Sequence, residues 1–414
     1  MSGIAGFWNL DRQPLDRAVL GRMGATIQHR GPDGLTSWVK GAIGMSYAKF
    51  CTTPESCNEV QPWTDENEEI CVTLDGRVDN RGELAAELKA VGTHLRCDTD
   101  AELVLRAYQR WGEHCAAKII GDFAFVVWDN RLQRLFSARD VAGIKPFYYF
   151  TNASVFVWGS DLNVVLAHPA VPKKPNEGMI AEYLAARITS CEETLYQDIF
   201  RLPPAHSLVV REDKTAKRRY WDVDSAHQLN YSSDEQYQEH FLEIFTKAAN
   251  CALRSSNPVG ISFSGGVDSS LLLGVVASLR IKGLARNDRI EALSLIFPGK
   301  DCDESDYISE VTGKWEMHAH LVHPSIWDKD EYARNVQKYL DFGDYPNGAM
   351  GDSLRIAARK KNIRVILAGN GGDEWFAGTN YHYADLLRNF RVKELLHRAK
   401  FDSEQRGLKR RSDR

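Results

Sequence analysis

The sequence predicts two domains of different class, a layered α+β domain followed by an α/β domain with a doubly wound parallel sheet. Three observations lead there. A chain of 414 residues, 43% hydrophobic and 26% charged, is long enough for two or three globular domains with cores of their own. Up to about residue 210, β-branched and aromatic runs dominate, with helical patterns between them. From about residue 225, strand and helix alternate one for one.

In the first half, "AIGMSYAKF", "EICVTLDGRV", "DFAFVVWD", "RLFSAR", "PFYYF" and "SVFVWGS" read as strands, punctuated by Gly, Asp and Asn. Both alternating faces of "FAFVVW" are apolar, which predicts a sheet covered on both sides. Leu15, Val19, Met23 and Ile27 recur at helical spacing, and so do Val104, Ala107 or Tyr108, and Trp111. The polar stretch "REDKTAKRRYWDVDSAHQLNYSSD" reads as the joint, which gives domains over 1–210 and 234–414 with a linker over 211–233. Beyond it come the strand "PVGISF", a helix over "VDSSLLLGVVASL", the strand "IEALSLIF", a helix near "DESDYISEVTGKW", the strand "HAHLVH", the helix "GDSLRIAARKK" and the strand "IRVILAG". Repeated βαβ units imply a parallel sheet whose ligand site lies beyond the carboxyl ends of the strands.

A net charge of -4 gives no reason to expect nucleic acid or an anionic membrane as partner, and the basic "GLKRRSDR" reads as a solvated tail. Eight cysteines without a CxxC pair argue for reduced thiols rather than zinc or redox chemistry. The apolar run "LLLGVVASL" is too short to span a bilayer, and the start lacks the marks of a signal peptide, so the expected location is cytoplasmic.

The strongest chemical signal is "SFSGGVDSS". A strand ends at Phe263, and Ser264, Gly265, Gly266 and Val267 turn into a helix whose first turn carries Asp268, Ser269 and Ser270. Glycine backbone N–H groups, a helix amino terminus and serine hydroxyls together suit a polyphosphate. The loop lacks the lysine of a Walker A ending, and Asp268 offers a carboxylate for Mg²⁺ instead. A tight strand-to-helix turn in any α/β protein would share these glycines. A second such turn, "VILAGNGGDEWFAG", adds Ala368, Gly369, Asp373 and Glu374, which predicts a shared Mg²⁺ held by Asp268 and Asp373. The two acids would also cap the following helix.

At these residues the sequence resembles the asparagine synthetase family over nearly its whole length. "SGGVDSS" resembles that family's pyrophosphate loop and "AGNGGDEWFAG" its second ATP motif, while "HRGPDG", "GDFAFVVWD" and "ARDVAGIKPFYY" resemble its amino-terminal glutaminase domain. The resemblance implies a four-layer Ntn-hydrolase-like domain followed by an ATP-pyrophosphatase domain. It also implies ATP cleaved to AMP and pyrophosphate, and a carboxylate activated as an acyl-adenylate for attack by an amine. Ser264 to Ser270 would then bind the phosphates, and Ala368 and Gly369 would offer backbone contacts to AMP. Asp268, Asp373 and Glu374 become the catalytic candidates.

The departures from the pattern concern the first domain. The family's nucleophile is a cysteine after Met1, and here it is Ser2. The family's "NGE", whose asparagine helps form the oxyanion hole, aligns with Asp75, Gly76 and Arg77, and an anionic Asp75 would repel the developing charge. The arginine that clamps the glutamine carboxylate falls where Ala48 or Lys49 stands. Asp100, matching the position that holds the glutamine amine, is retained. Three losses against one retention predict a glutaminase-like domain that releases no ammonia.

Without delivered ammonia the amine must belong to the substrate. "TTPESCNEVQPW", "DGRVDNRGEL" and "GGDEWFAGTNYHYADLLR" look most like the lasso-peptide macrolactam cyclases. That likeness implies a precursor peptide, or another carboxylate substrate with its own amine, and a leader-peptide protease as a partner. Asn370 stands where asparagine synthetases carry a glutamate, and it is no base at neutral pH. A peptide α-amine with a pKa of about 7.7–8.0 has less need of one. The family's lysine near the adenylate has no motif here, although Lys393, Lys400 and Lys409 follow the second loop. The short carboxyl terminus leaves open a catalytically silent ATP- or peptide-binding protein, and the breadth of the similarity leaves asparagine synthesis as an alternative.

Overall fold

The computed structural model describes residues 1–342, 348–372 and 381–405. In the first domain, the described residues build two antiparallel sheets. One has the order β10-β8-β9-β1-β3-β2, from β1 (Gly3–Asn9), β2 (Gly34–Lys40), β3 (Ile43–Lys49), β8 (Tyr148–Thr151), β9 (Val155–Gly159) and β10 (Ile199–Arg201). The other has the order β12-β11-β7-β6-β5-β4, from β4 (Trp63–Thr64), β5 (Ile70–Gly76), β6 (Phe123–Asp129), β7 (Arg134–Arg139), β11 (His206–Val210) and β12 (Thr215–Arg219).

Period-2 alternation along β6 shows how the sheets stack. Ala124, Val126 and Trp128 face the first sheet and join Ile4, Trp8, Met45 and Trp158 in a core between the sheets. Phe123, Phe125 and Val127 face the other way, against Leu84 and Leu88 of α3 (Arg81–Ala90) and Leu103, Val104 and Ala107 of α4 (Asp100–Trp111). The first sheet is covered on its far side by Val19, Leu20 and Met23 of α1 (Arg17–Thr26) and by α5 (Leu162–Leu166). The result is the expected four-layer stack, and the doubly apolar "FAFVVW" is buried at every position. At the centre Trp8 and Trp128 meet edge to face, ring centroids 4.8 Å apart. Helix α1 starts where the Asp16 carboxylate accepts from Ala18 N, and α4 where the Thr99 hydroxyl accepts from Glu102 N.

The expected linker begins with structure. Thr215–Arg219 pairs antiparallel with β11, and the Tyr220 hydroxyl donates to the Arg139 carbonyl at 2.7 Å. As an exposed edge strand, β12 needs no apolar face, so its composition reads as a joint. The stretch after Tyr220 has no strand or helix until α7 (Asp234–Ala252).

The second domain has a parallel sheet in the order β15-β14-β13-β16, from β13 (Val259–Ser262), β14 (Ile290–Leu295), β15 (Ala319–Val322) and β16 (Val365–Leu367). α8 (Val267–Ile281), α9 (Ser305–Lys314) and α11 (Asp352–Lys360) connect them, with α10 (Lys329–Tyr339) before α11. Leu272, Leu273 and Val276 of α8 pack with Val259, Ile261 and Phe263 in its core. Chain order reverses between β13 and β16, which makes their carboxyl ends the switch point of the sheet. Among the described residues no helix is long and apolar enough to cross a membrane.

Removing one ring from the inter-sheet core leaves a void that β-sheets cannot collapse to fill. Trp8→Ala is expected to cost the first domain about 3–5 kcal/mol, read as a lower urea midpoint in near-ultraviolet circular dichroism.

Candidate functional site

Two glycine turns meet at the switch point. After β13, Phe263 is buried and its N–H donates to the Leu293 carbonyl at 2.9 Å, which fixes where the chain leaves the sheet. Gly265 has a φ of +86°, and a Cβ there would stand 2.9 Å from Tyr307 Cβ, so only glycine makes this turn. Helix α8 then begins at Gly266 without a side-chain cap, which leaves its first N–H groups and positive dipole end available to an anion. The hydroxyls of Ser264 and Ser269 lie 3.2 Å apart, and Ser270 Oγ donates to the Gly265 carbonyl, which orders the loop from within.

After β16, the chain runs through Ala368, Gly369 and Asn370 to Gly372 and lies directly on the first loop. A Cβ on Gly369 would stand 3.0 Å from Asp268 Cβ and 3.1 Å from Ser269 N, and one on Gly372 would stand 2.1 Å from Asp268 Oδ2. These glycines therefore bring the second loop into contact with the Asp268 carboxylate. The expected metal partner Asp373, and Glu374 with it, lie outside the described residues. The donor chemistry of Asp268 fits Mg²⁺: a hard carboxylate oxygen at a helix start, half-buried, next to a loop shaped for phosphates. Among the described residues no group of three or more His, Cys, Asp or Glu side chains gathers to hold a metal. An ion at Asp268 would need its other ligands from beyond the described residues or from a bound phosphate. Lys393 and Lys400 lie on the helix Val392–Gln405, and Lys409 lies outside the described residues.

In the first domain Asp75 and Asp100 each sit in a buried set of charges, and Ser2 lies beside the first of them, its carbonyl accepting from Arg30 at 3.2 Å. Ser2 Oγ lies 3.4 Å from the Tyr47 hydroxyl and 3.5 Å from the Phe50 carbonyl, neither of them a base for a nucleophile. Met1 carries the terminal amine, which burial pushes down to about 6 against the pull of Asp75. Asp75 is fully buried; its Oδ2 lies 3.5 Å from Arg30 and its Oδ1 3.5 Å from Lys145. The position matched to an oxyanion-hole donor therefore holds a buried carboxyl group flanked by two cations, its Oδ1 without a hydrogen-bond partner among the described residues. Ala48 is buried in the core, and the Lys49 ammonium donates to the Cys57 and Glu59 carbonyls at 2.9 and 2.8 Å. Neither position presents a free cation to a carboxylate.

Asp100 is retained as a residue but not as a free anion. The Arg81 guanidinium donates to it, and Arg254, from the second domain, lies 3.9 Å from its other oxygen. Burial raises the Asp100 carboxyl and the two arginines pull it back. Glu59, close by, accepts from Ala101 N at 2.7 Å and from Gln61 Nε2 at 3.0 Å. Its carboxyl is pushed up to about 7, by burial first and the Asp100 charge second. Gly76 and Arg77 line a cavity of 870 Å³ between the domains, with Ser2 and Lys145 on one wall and Val365, Ile366 and Leu367 of β16 on the other. Arg254 and Arg364 carried no motif signal, whereas Arg30 and Lys145 stand inside "HRGPDG" and "ARDVAGIKPFYY".

Residues 1–221 match the glutamine amidotransferase domain family and residues 240–413 the asparagine synthase family. The chain is 27% identical over 408 residues to Asparagine synthetase (glutamine-hydrolyzing) 3 of Bacillus subtilis, covering 94% of this chain and 65% of that protein. It is 26% identical over 404 residues to Putative asparagine synthetase (glutamine-hydrolyzing) 2 of Methanocaldococcus jannaschii, covering 92% and 76%. With Amidase chyE of Penicillium rubens it shares 27% over 380 residues, 87% of this chain and 55% of that one.

The site yields two expectations. Glu59 has its ordinary carboxylate pKa in the unfolded chain and a raised one when folded, so its contribution to stability is full below about 4.5 and is lost as pH rises through about 7. Glu59→Gln removes that titration, so the stability lost between pH 5 and pH 8 is expected to shrink by on the order of 3 kcal/mol relative to the unmodified chain, in paired urea titrations at the two pH values. Ser2→Cys supplies a thiol but leaves Asp75 and the occupied Asp100 in place; no glutamate release from glutamine above background is expected, measured by coupled glutamate oxidation.

Proposed function

Since the chain belongs to the asparagine synthetase family, with a glutamine amidotransferase domain ahead of an asparagine synthase domain, we propose that it is an ATP-dependent ligase forming carbon–nitrogen bonds. It adenylates a carboxylate, releases pyrophosphate, and lets an amine displace AMP. The observation that carries this reading is the contact of the second glycine loop with Asp268 at the switch point of the parallel sheet. Ser264–Ser270 with the amino terminus of α8 cradle the phosphates, and Ala368 and Gly369 offer backbone to the AMP portion. Asp268, with Asp373, is the seat for Mg²⁺, which neutralises the leaving pyrophosphate when bound. Much of the acceleration comes from holding the activated carboxylate and the amine together.

The amine is the substrate's own, because Ser2, Asp75 and Asp100 are committed to other contacts. The finer reading is a macrolactam cyclase of the lasso-peptide type, in which an Asp or Glu side chain of a precursor peptide is captured by that peptide's amino terminus. A leader-peptide protease would supply that terminus. A second reading, asparagine from aspartate and ammonia, is favoured by the 870 Å³ cavity lined by both Ser2 and β16.

The test is AMP and pyrophosphate release from Mg-ATP without glutamine, with candidate precursor peptides compared against aspartate plus ammonium, and product masses recorded. The expected outcome is peptide-dependent AMP and a product lighter by one water. Aspartate-dependent AMP establishes the second reading, and ATP binding without turnover overturns both. In the active case Asp268→Asn is expected to lower AMP formation about a hundredfold or more.

A further inference from the structure

The two strands that end in the nucleotide loops are each tied at their opposite ends to the first domain. β13 and β16 run parallel in register, Val259 beside Val365 and Ile261 beside Leu367. β16 has three residues, stands at the edge of the sheet, and pairs with β13 alone among the described strands. So short a ladder fixes the strand's position poorly by itself.

Arg364 immediately precedes β16. Its guanidinium holds Asp33 with two donors, one of them to Oδ1 at 3.0 Å, donates to the Cys51 carbonyl at 2.9 Å, and stacks over the Phe50 ring at 5.0 Å. Asp33 in turn accepts from Cys51 N at 2.8 Å. Ahead of β13, Arg254 is buried in the first domain, where it donates to the Val78 carbonyl at 2.8 Å and lies 3.4 Å from Glu55 and 3.7 Å from Asp79. Two residues on, Ser256 N donates to the Thr52 carbonyl at 2.9 Å. One segment, Phe50–Cys57, thus meets the roots of both strands. It is itself stiffened by the capping box of Thr53 and Ser56 and by Pro54, at the start of α2 (Pro54–Asn58).

We propose that Phe50–Cys57 and Asp33 form a clamp that sets the nucleotide site, with Arg254 and Arg364 as its positioning residues. Strands of three and four residues are stiff rods of roughly 10–13 Å. A shift at either root therefore arrives at Asp268 or Gly372, whose close contact leaves no slack. The clamp also gives the first domain a task that needs no glutamine: Arg254 fills the acidic pocket around Asp100, and the domain holds its neighbour in register. This inference rests on the nucleotide reading of the loops.

Arg364 is the better residue to test, because its pair is bidentate while Arg254 makes a single hydrogen bond. In the full chain, Arg364→Ala is expected to raise the KM for ATP about tenfold, with a smaller change in kcat, and to speed hydrogen exchange over 365–372 while exchange in the sheets of the first domain stays unchanged. Arg364→Lys restores part of the ATP affinity, and the reversed pair Asp33→Arg with Arg364→Asp restores more. Asp33→Asn probes the same contact from the other side should Arg364→Ala fold poorly. Unaltered ATP affinity and unaltered exchange over 365–372 in both single variants overturn the clamp. If the unmodified chain binds no ATP, the nucleotide reading fails, while faster exchange over 365–372 still supports the clamp and unchanged exchange still overturns it.

Discussion

Gly372 lies so close to the Asp268 carboxylate that a single added carbon would overlap it. That contact exists because β13 and β16 run side by side in the same direction, so that the turns leaving them come out at one edge of the sheet. Every chemical element of the second domain depends on it. The uncapped start of α8, the serine hydroxyls and the backbone of the second turn converge only when the strands are in register. The sequence places these groups a hundred residues apart, and the parallel ladder makes them neighbours.

The first domain is arranged around a different constraint, the need to keep buried charge compensated. Asp75 sits without solvent between Arg30 and Lys145. Asp100, Asp79 and Glu55 share a pocket with Arg77, Arg81 and Arg254. Once a carboxylate stands at position 75, Arg30 and Lys145 each have a partner 3.5 Å away. Removing any one charge from such a set strands another in a medium that solvates it badly. The cluster ties the domains together for the same reason, since Arg254 cannot leave without exposing three acids.

The strand runs of the first domain were readable because each is a long apolar or alternating pattern, and β6 carries the signal of a doubly covered sheet in every residue. The βαβ order of the second domain was equally plain, as was the strand-to-helix turn at "SGGVDSS", where Gly265 takes a φ that only glycine adopts without strain. β12 was not readable: an edge strand with both faces wet has the composition of a linker. Nor were Arg254 and Arg364, because a lone arginine has no local pattern, and its meaning depends on carboxylates that lie hundreds of residues away in sequence.

The sequence by itself determined the two fold classes, the order of the elements and the places where glycine turns leave the parallel strands. All of these follow from patterns a few residues long, set by hydrophobic periodicity and by turn chemistry. Only the tertiary structure decided that Asp100 is occupied rather than open, that Asp75 stands between Lys145 and Arg30, and that one short segment meets the roots of both β13 and β16. Those outcomes depend on which distant charges share a buried volume, and Coulomb interactions across such a volume follow distance in space, of which the linear order of residues holds no record.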